Sequence, residues 1–186
     1  CPVCLRRIPE KNHCHPRAGY LLAPVTHYDN STVKQLIFKL KYGSWLQAAE
    51  PLYILLANYL EKLPANGKGF IVMPVPLHTD RELHRGFNQS NILASKVSEC
   101  LSVKLVKNNL VRVRNTQSQT ELKDYKAREQ NLVGAFHLNR PEELKDKSII
   151  LVDDIFTSGA TVNEAVRTLK TAGVKKIIAL VLARAR

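Results

Sequence analysis

The chain has 186 residues, 45% of them hydrophobic, and its 28 Lys and Arg outnumber 16 Asp and Glu for a net charge of +12 at pH 7. That size and composition support one good hydrophobic core and exclude a disordered chain. No apolar run reaches the length of a membrane span and no signal peptide is visible, so a soluble cytoplasmic protein is expected. The charge points to a polyanionic partner or to a generally basic, well-solvated surface. A diphosphate-bearing small molecule needs only a few of these charges, so the excess favours nucleic acid as a second partner. The first residue is Cys1 rather than Met, as in a fragment or a processed form.

Three of the four cysteines are N-terminal. Cys1 and Cys4 form a C-x2-C knuckle, and Cys14 follows between His13 and His15. Zn²⁺ takes four N or S ligands in a tetrahedron, so this set offers three thiolates and an imidazole; a regular second knuckle would need Cys where Arg17 stands. Two readings stand: a zinc site of Cys1, Cys4 and Cys14 with His15, or else His13, as the fourth ligand, or a set of reduced thiols at a frayed terminus. Residues 1–19 are read as this knuckle-like appendage and 20–186 as the main domain. Cys100 shares a helical face with Leu93 and Val97 and is expected in the core.

Tyr20 to Tyr28 reads as a strand, and Pro24 within it argues for a sheet edge. Asn30 or Ser31 can cap a helix whose apolar face is Val33, Leu36, Ile37 and Leu40, with Lys34, Lys39 and Lys41 off that face and Gly43 ending it. A second helix runs to Leu63 with Pro51 in its first turn. Phe70 to Val75 is a short buried strand that Pro74 and Pro76 stiffen and stop. The segment R-E-L-H-R-G-F-N-Q-S, residues 81–90, leads into a helix through Leu93, Val97 and Leu101. Arg81 and Arg85 there provide forked donors suited to a diphosphate.

Residues 103–128 carry Lys104, Lys107, Arg112, Arg114, Lys123, Lys126 and Arg128 against Glu121 and Asp124, a net +5. This long polar stretch lies between short strands, one near Val103–Val106 or Leu110–Val113 and one at Leu132–Leu138. It can close on a small phosphorylated ligand, grip a phosphate backbone, do both, or stay a solvated basic loop. Arg112, Arg114, Lys123, Lys126 and Arg128 are the candidate nucleic-acid contacts.

The stretch Ser148 to Thr161, S-I-I-L-V-D-D-I-F-T-S-G-A-T, organises the chain. Ile149 to Val152 fits a strand buried on both faces of a parallel sheet. Asp153 and Asp154 follow, then Thr157, Ser158, Gly159, Ala160 and Thr161, and a helix begins whose apolar positions are Val162, Ala165, Val166 and Leu169, with Gly173 as its stop. A helix N-terminus with free N–H groups welcomes phosphate, and Gly159 allows close backbone approach. Two carboxylates repel phosphate and suit hydroxyls or a bridging Mg²⁺. A sugar phosphate with a free diol satisfies both halves. No G-x-x-x-x-G-K-[ST] or G-x-G-x-x-G occurs in the chain. The last strand, Lys176 to Ala183, completes the sheet.

This loop resembles the phosphoribosyl pyrophosphate (PRPP) site of type I phosphoribosyltransferases. The resemblance implies that Asp153 and Asp154 hold the ribose hydroxyls, that 157–161 cradle the 5′-phosphate, and that Mg²⁺ accompanies PRPP. It makes Asp153 and Asp154 the candidate catalytic pair. It also implies an α/β fold with a mainly parallel twisted sheet and helices on both faces, and a mobile loop at 103–128 that shuts over PRPP. P-V-P-L-H before R-x-x-x-R-G-F-N-Q-S, with R-N-T-Q-S-Q-T at 114–120 and R-E-Q-N-L-V-G-A-F at 128–136, is similar to the ComF family of competence proteins and their gluconate-utilisation relatives. That family also carries an N-terminal zinc knuckle; this chain departs from it in lacking a fourth cysteine there. The resemblance implies work in DNA uptake during natural transformation, with single-stranded DNA and the uptake machinery as partners. The alternative is an active phosphoribosyltransferase acting on an amine or base.

Overall fold

The computed structural model describes residues 1–4, 15, 18–42, 49–62, 69–116 and 130–185. Its main sheet holds four strands, all parallel: β1 (Leu21–His27), β2 (Phe70–Pro74), β5 (Ser148–Phe156) and β6 (Lys176–Arg184), in the order β1-β6-β5-β2. A separate antiparallel pair is formed by β3 (Leu110–Arg112) and β4 (Phe136–Leu138). The helices are α1 (Ser31–Tyr42), α2 (Ala49–Glu61), α3 (Thr79–Arg85), α4 (Gln89–Leu101) and α5 (Ala160–Thr171).

Period-2 alternation along the central strands divides the core into two. Ile149 and Leu151 of β5, with Ile177, Ala179 and Val181 of β6, face α5 and the β3–β4 pair. Ile150 and Val152, with Leu180 and Leu182, face α1, α2 and α4. Leu169, Leu151, Leu52 and Leu93 are each at most 1% exposed, and burying such a side chain stabilises the fold by roughly 1.5–3 kcal/mol. The fold is therefore the α/β arrangement expected, with helices on both faces of a parallel sheet. β1, with Pro24, takes an edge. Asn30 caps α1, its Oδ1 accepting from the amides of Thr32 and Val33 at 3.1 Å each. Among the described residues no helix is long and apolar enough to cross a membrane.

Two local expectations are corrected. Cys100 is exposed, because the stripe of α4 that meets the core runs through Ser90, Leu93, Ala94 and Val97 to Leu101, and Cys100 lies beside it. The second short strand starts at Phe136 rather than Leu132: Gly134 turns the chain at φ 68, and its amide donates to Glu164 Oε1 at 2.7 Å. Of the two positions open to the first short strand, the structure takes Leu110–Arg112, and within 103–106 only Leu105 forms a bridge, to Val72.

Candidate functional site

The C-terminal ends of β2 and β5 open onto one cleft of about 240 Å³. The sequence places both acids beyond the strand, in the loop. The structure carries β5 to Phe156, because β6 pairs alongside it, Asp153 opposite Val181 and Phe156 opposite Arg184. Asp153 and Asp154 are consequently 8% and 4% exposed.

Two adjacent buried carboxylates need partners. Asp153 Oδ1 accepts from Ser90 Oγ at 3.1 Å and from the Asp154 amide at 2.9 Å. Asp154 Oδ1 accepts from the Ile155 amide at 2.7 Å. Asp154 Oδ2 is buried, and its one partner is the Lys41 ammonium at 2.6 Å. Burial, then the Asp154 charge, push the Asp153 carboxyl up to about 7 against the opposing pull of Lys41. Burial alone would lower Lys41; Asp154 and, more weakly, Asp153 outweigh it and hold the ammonium above its ordinary value.

Residues 157–162 form the adjoining wall. Gly159 is the N-cap of α5 at φ 78, in the left-handed region, and no side chain caps the helix there. A Cβ on Gly159 would lie 2.6 Å from Phe156 Cζ and 2.9 Å from its Cε2, so the ring beneath the loop excludes any side chain. The Ala160 amide reaches only Ser158 Oγ, at 3.4 Å. The first turn of α5 thus brings sparsely paired N–H groups and the positive end of the helix dipole to the cleft wall.

Arg81, Arg85 and Arg112 line the cleft as well. Arg81 Nη2 donates to the Thr116 carbonyl at 2.5 Å, and Arg112 Nη2 donates to Thr116 Oγ1. Two guanidiniums therefore converge on one residue. Burial, then Arg81, lower Arg112 to about 10, with Asp153 pulling the other way; it stays a cation at neutral pH. Its Nε is buried without a partner. An anion between the two arginines would relieve both their repulsion and that unmet donor. Arg85 donates to Gln89 Oε1 at 2.5 Å and lies over the Tyr42 ring at 5.5 Å. Asn88, the N-cap of α4, ties this segment to β2 by donating to the Val75 carbonyl at 3.1 Å.

Of the expected nucleic-acid contacts, Arg112 is 8% exposed and belongs to the cleft wall. It follows Leu110 inward at a strand spacing of two. Arg114 is exposed and donates to the Val133 carbonyl. Lys123, Lys126 and Arg128 lie outside the described residues. At the N-terminus the ligand atoms of Cys1, Cys4 and His15 lie within 4.8 Å of one another, with Cys1 Sγ 3.4 Å from His15 Nδ1. Three convergent S and N donors fit three corners of a zinc tetrahedron; Cys14 falls outside the described residues.

Lys41, Ser90 and the aromatic pair Tyr28 and Tyr42, all cleft-lining, went unassigned to the site in the sequence. Lys41 left a signal: it follows Ile37 by four, so it flanks the buried face of α1, whereas Lys34 and Lys39 point away from it.

The fold and this cleft define a phosphoribosyltransferase-type domain, and the phosphoribosyl transferase domain family matches residues 83–186. The chain is 38% identical over 115 residues to competence protein F of Haemophilus influenzae, covering 61% of this chain and 50% of that one. It is 32% identical over 174 residues to the DNA utilization protein YhgH of Escherichia coli K12, covering 91% of this chain and 70% of that one. It is 34% identical over 106 residues to competence protein ComFC of Bacillus subtilis, covering 57% of this chain and 40% of that one. Among solved structures, adenine phosphoribosyltransferase from Leishmania tarentolae overlaps 92% of this chain and 79% of its own, at 12% identity and a TM-score of 0.47. The chain belongs to the ComF family. It spans half the length of its Haemophilus relative.

Proposed function

We propose that the cleft binds PRPP, and that the protein uses this ligand in the handling of incoming DNA. The observation that carries the reading is the meeting, in one cleft, of the buried pair Asp153 and Asp154, the 157–161 loop at the start of α5, and the arginines Arg81 and Arg112. In this arrangement the ribose hydroxyls donate to Asp153 and Asp154, the 5′-phosphate sits on the amides of residues 158–161, and the diphosphate lies toward Arg81, Arg85 and Arg112. The carboxylate oxygens of Asp153 and Asp154 are hard donors of the kind Mg²⁺ takes, but Lys41 already pairs with Asp154 Oδ2 at 2.6 Å, so Mg²⁺ would arrive on the diphosphate of PRPP. When bound with PRPP, Mg²⁺ would neutralise charge on the diphosphate and ease its departure. The zinc-type cluster of Cys1, Cys4 and His15 would serve as a structural clasp for the N-terminal segment.

The DNA part of the reading is supported by the +12 net charge and by relatives named for competence and DNA utilization. Arg114, Lys123, Lys126 and Arg128 are the contacts we assign to single-stranded DNA, and the machinery of DNA uptake is the setting. A specific observation favours a second reading, catalytic transfer of phosphoribose: Tyr28 and Tyr42 line the same cleft, offering faces on which a planar acceptor could stack. Calorimetry with PRPP and Mg²⁺ tests the shared premise, and pyrophosphate release against a panel of nucleobases and amines separates the two. A DNA shift assay across a salt series tests the nucleic-acid contact, because phosphate contacts predict a steep loss of affinity with salt.

A further inference from the structure

Lys41 supports an inference that rests on the phosphoribosyl reading of the cleft. It lies in the last turn of α1, in a part of the chain that the matched family region, residues 83–186, does not include. Its side chain is only 19% exposed and that of Asp154 only 6%, with 2.6 Å between the charges. A buried ion pair is a poor source of stability, since desolvating two ions consumes most of their attraction. Its effect on binding is larger. The ammonium is the partner of Asp154 Oδ2, a buried oxygen with no other donor, where a ligand hydroxyl or a divalent cation would go.

We propose that Lys41 is the resident counter-cation of the Asp153–Asp154 pair, and that it keeps a bare divalent metal out of the empty cleft while admitting a sugar diol. The two ligand classes meet the ammonium differently. A hydroxyl is neutral and can share Asp154 Oδ2 with Lys41, because a carboxylate oxygen accepts more than one donor. A dication at the same oxygen would stand against a fixed positive charge in a poorly solvated corner, where Coulomb repulsion is weakly screened. The metal therefore enters already bound to the diphosphate of its ligand, at the arginine end of the cleft, and the acids recognise the sugar.

The test uses Mn²⁺ alone, without PRPP, titrated into the full chain and followed by the electron paramagnetic resonance signal of the free ion. Wild type should bind Mn²⁺ no more tightly than Asp153→Asn/Asp154→Asn. Lys41→Met should bind at least about tenfold more tightly, and adding Asp154→Asn should abolish the gain, which separates this site from the cysteine cluster. Lys41→Arg restores the charge and should reject Mn²⁺ as wild type does. Should Lys41→Met fold poorly, Lys41→Gln supplies the same contrast. If neither neutral variant gains Mn²⁺ affinity, or wild type already holds Mn²⁺ at the acids, the proposal is overturned. A parallel titration of wild type with PRPP and Mg²⁺ reads the underlying assignment: absence of binding there defeats the phosphoribosyl reading and leaves the Mn²⁺ contrast intact.

Discussion

Replacing Gly159 by Ala strikes the loop at its most constrained point. Two costs can be worked from the structure. At φ 78 an L-residue gives up ~1–2 kcal/mol to left-handed backbone. The new methyl would also lie 2.6 Å from Phe156 Cζ. Phe156 is 5% exposed and has little room to retreat, so overpacking adds ~1–3 kcal/mol. Gly159→Ala should therefore lose about 2–5 kcal/mol in urea unfolding, with m unchanged. Any settlement of the clash moves the amides at the start of α5, so PRPP affinity should fall at least about tenfold in calorimetry. Phe156→Leu relieves the collision and leaves the backbone strain. The double variant should therefore be about 1–2 kcal/mol more stable than the sum of the single changes implies. Equal stability of Gly159→Ala and wild type, or no coupling to Phe156→Leu, would refute this account of the loop.

Further outcomes follow from the same geometry. Burial, then the Asp154 charge, push the Asp153 carboxyl up to about 7 from its ordinary 3.8; the folded state thus keeps a proton that the unfolded chain has lost, and its stability falls as pH rises between those values. Asp153→Asn removes that liability, so its melting temperature minus that of wild type should climb across this window and level off above it; a difference flat with pH contradicts the burial argument. Arg112→Met discards a guanidinium that lies over the Phe136 ring, and the unmet buried Nε it removes offsets the lost bond to Thr116 Oγ1. Stability should change by less than about 1 kcal/mol while pyrophosphate affinity drops at least about tenfold, and unchanged affinity would remove Arg112 from the diphosphate end. If Cys1, Cys4 and His15 hold zinc, metal analysis should find about one zinc per chain, and a chelator should remove it and lower the melting temperature; Cys4→Ser should abolish the retained metal. Lys123→Glu/Lys126→Glu should weaken single-stranded DNA binding far more than PRPP binding in paired titrations.

The parts of this protein that were legible in its sequence are those governed by local periodicity. The run Ile149–Val152 alternates between two cores, and Val162, Ala165, Val166 and Leu169 hold α5 on the sheet, so strand, loop and helix could be placed in order. What escaped was set by partners distant in sequence. β5 runs on to Phe156 because β6 accompanies it that far, and nothing around Asp153 announces that. Lys41 falls off the apolar face with Lys34 and Lys39 when the sequence alone is projected, because a helical face has no sharp edge; only its partner Asp154 shows which side of the border it takes. Arg112 was absorbed into a basic stretch, although its spacing from Leu110 already gave a strand's inward face. Cys100 shows the reverse error: it lies near the projected face, but Ala94, Val97 and Leu101 make the contact with the core and leave it outside. Charge count and motif spacing thus located the ligand end of the sheet, while the burial and pairing of its acids needed the fold.

The central claim, that Asp153 and Asp154 with the turn leading into α5 form a PRPP site, is tested most directly by titrating PRPP with Mg²⁺ into wild type and into Asp153→Asn/Asp154→Asn by calorimetry, with circular dichroism confirming that both are folded. Saturable binding by wild type and none by the folded double variant is the predicted result. A double variant that binds PRPP as wild type does, or a wild type that binds none, would contradict it.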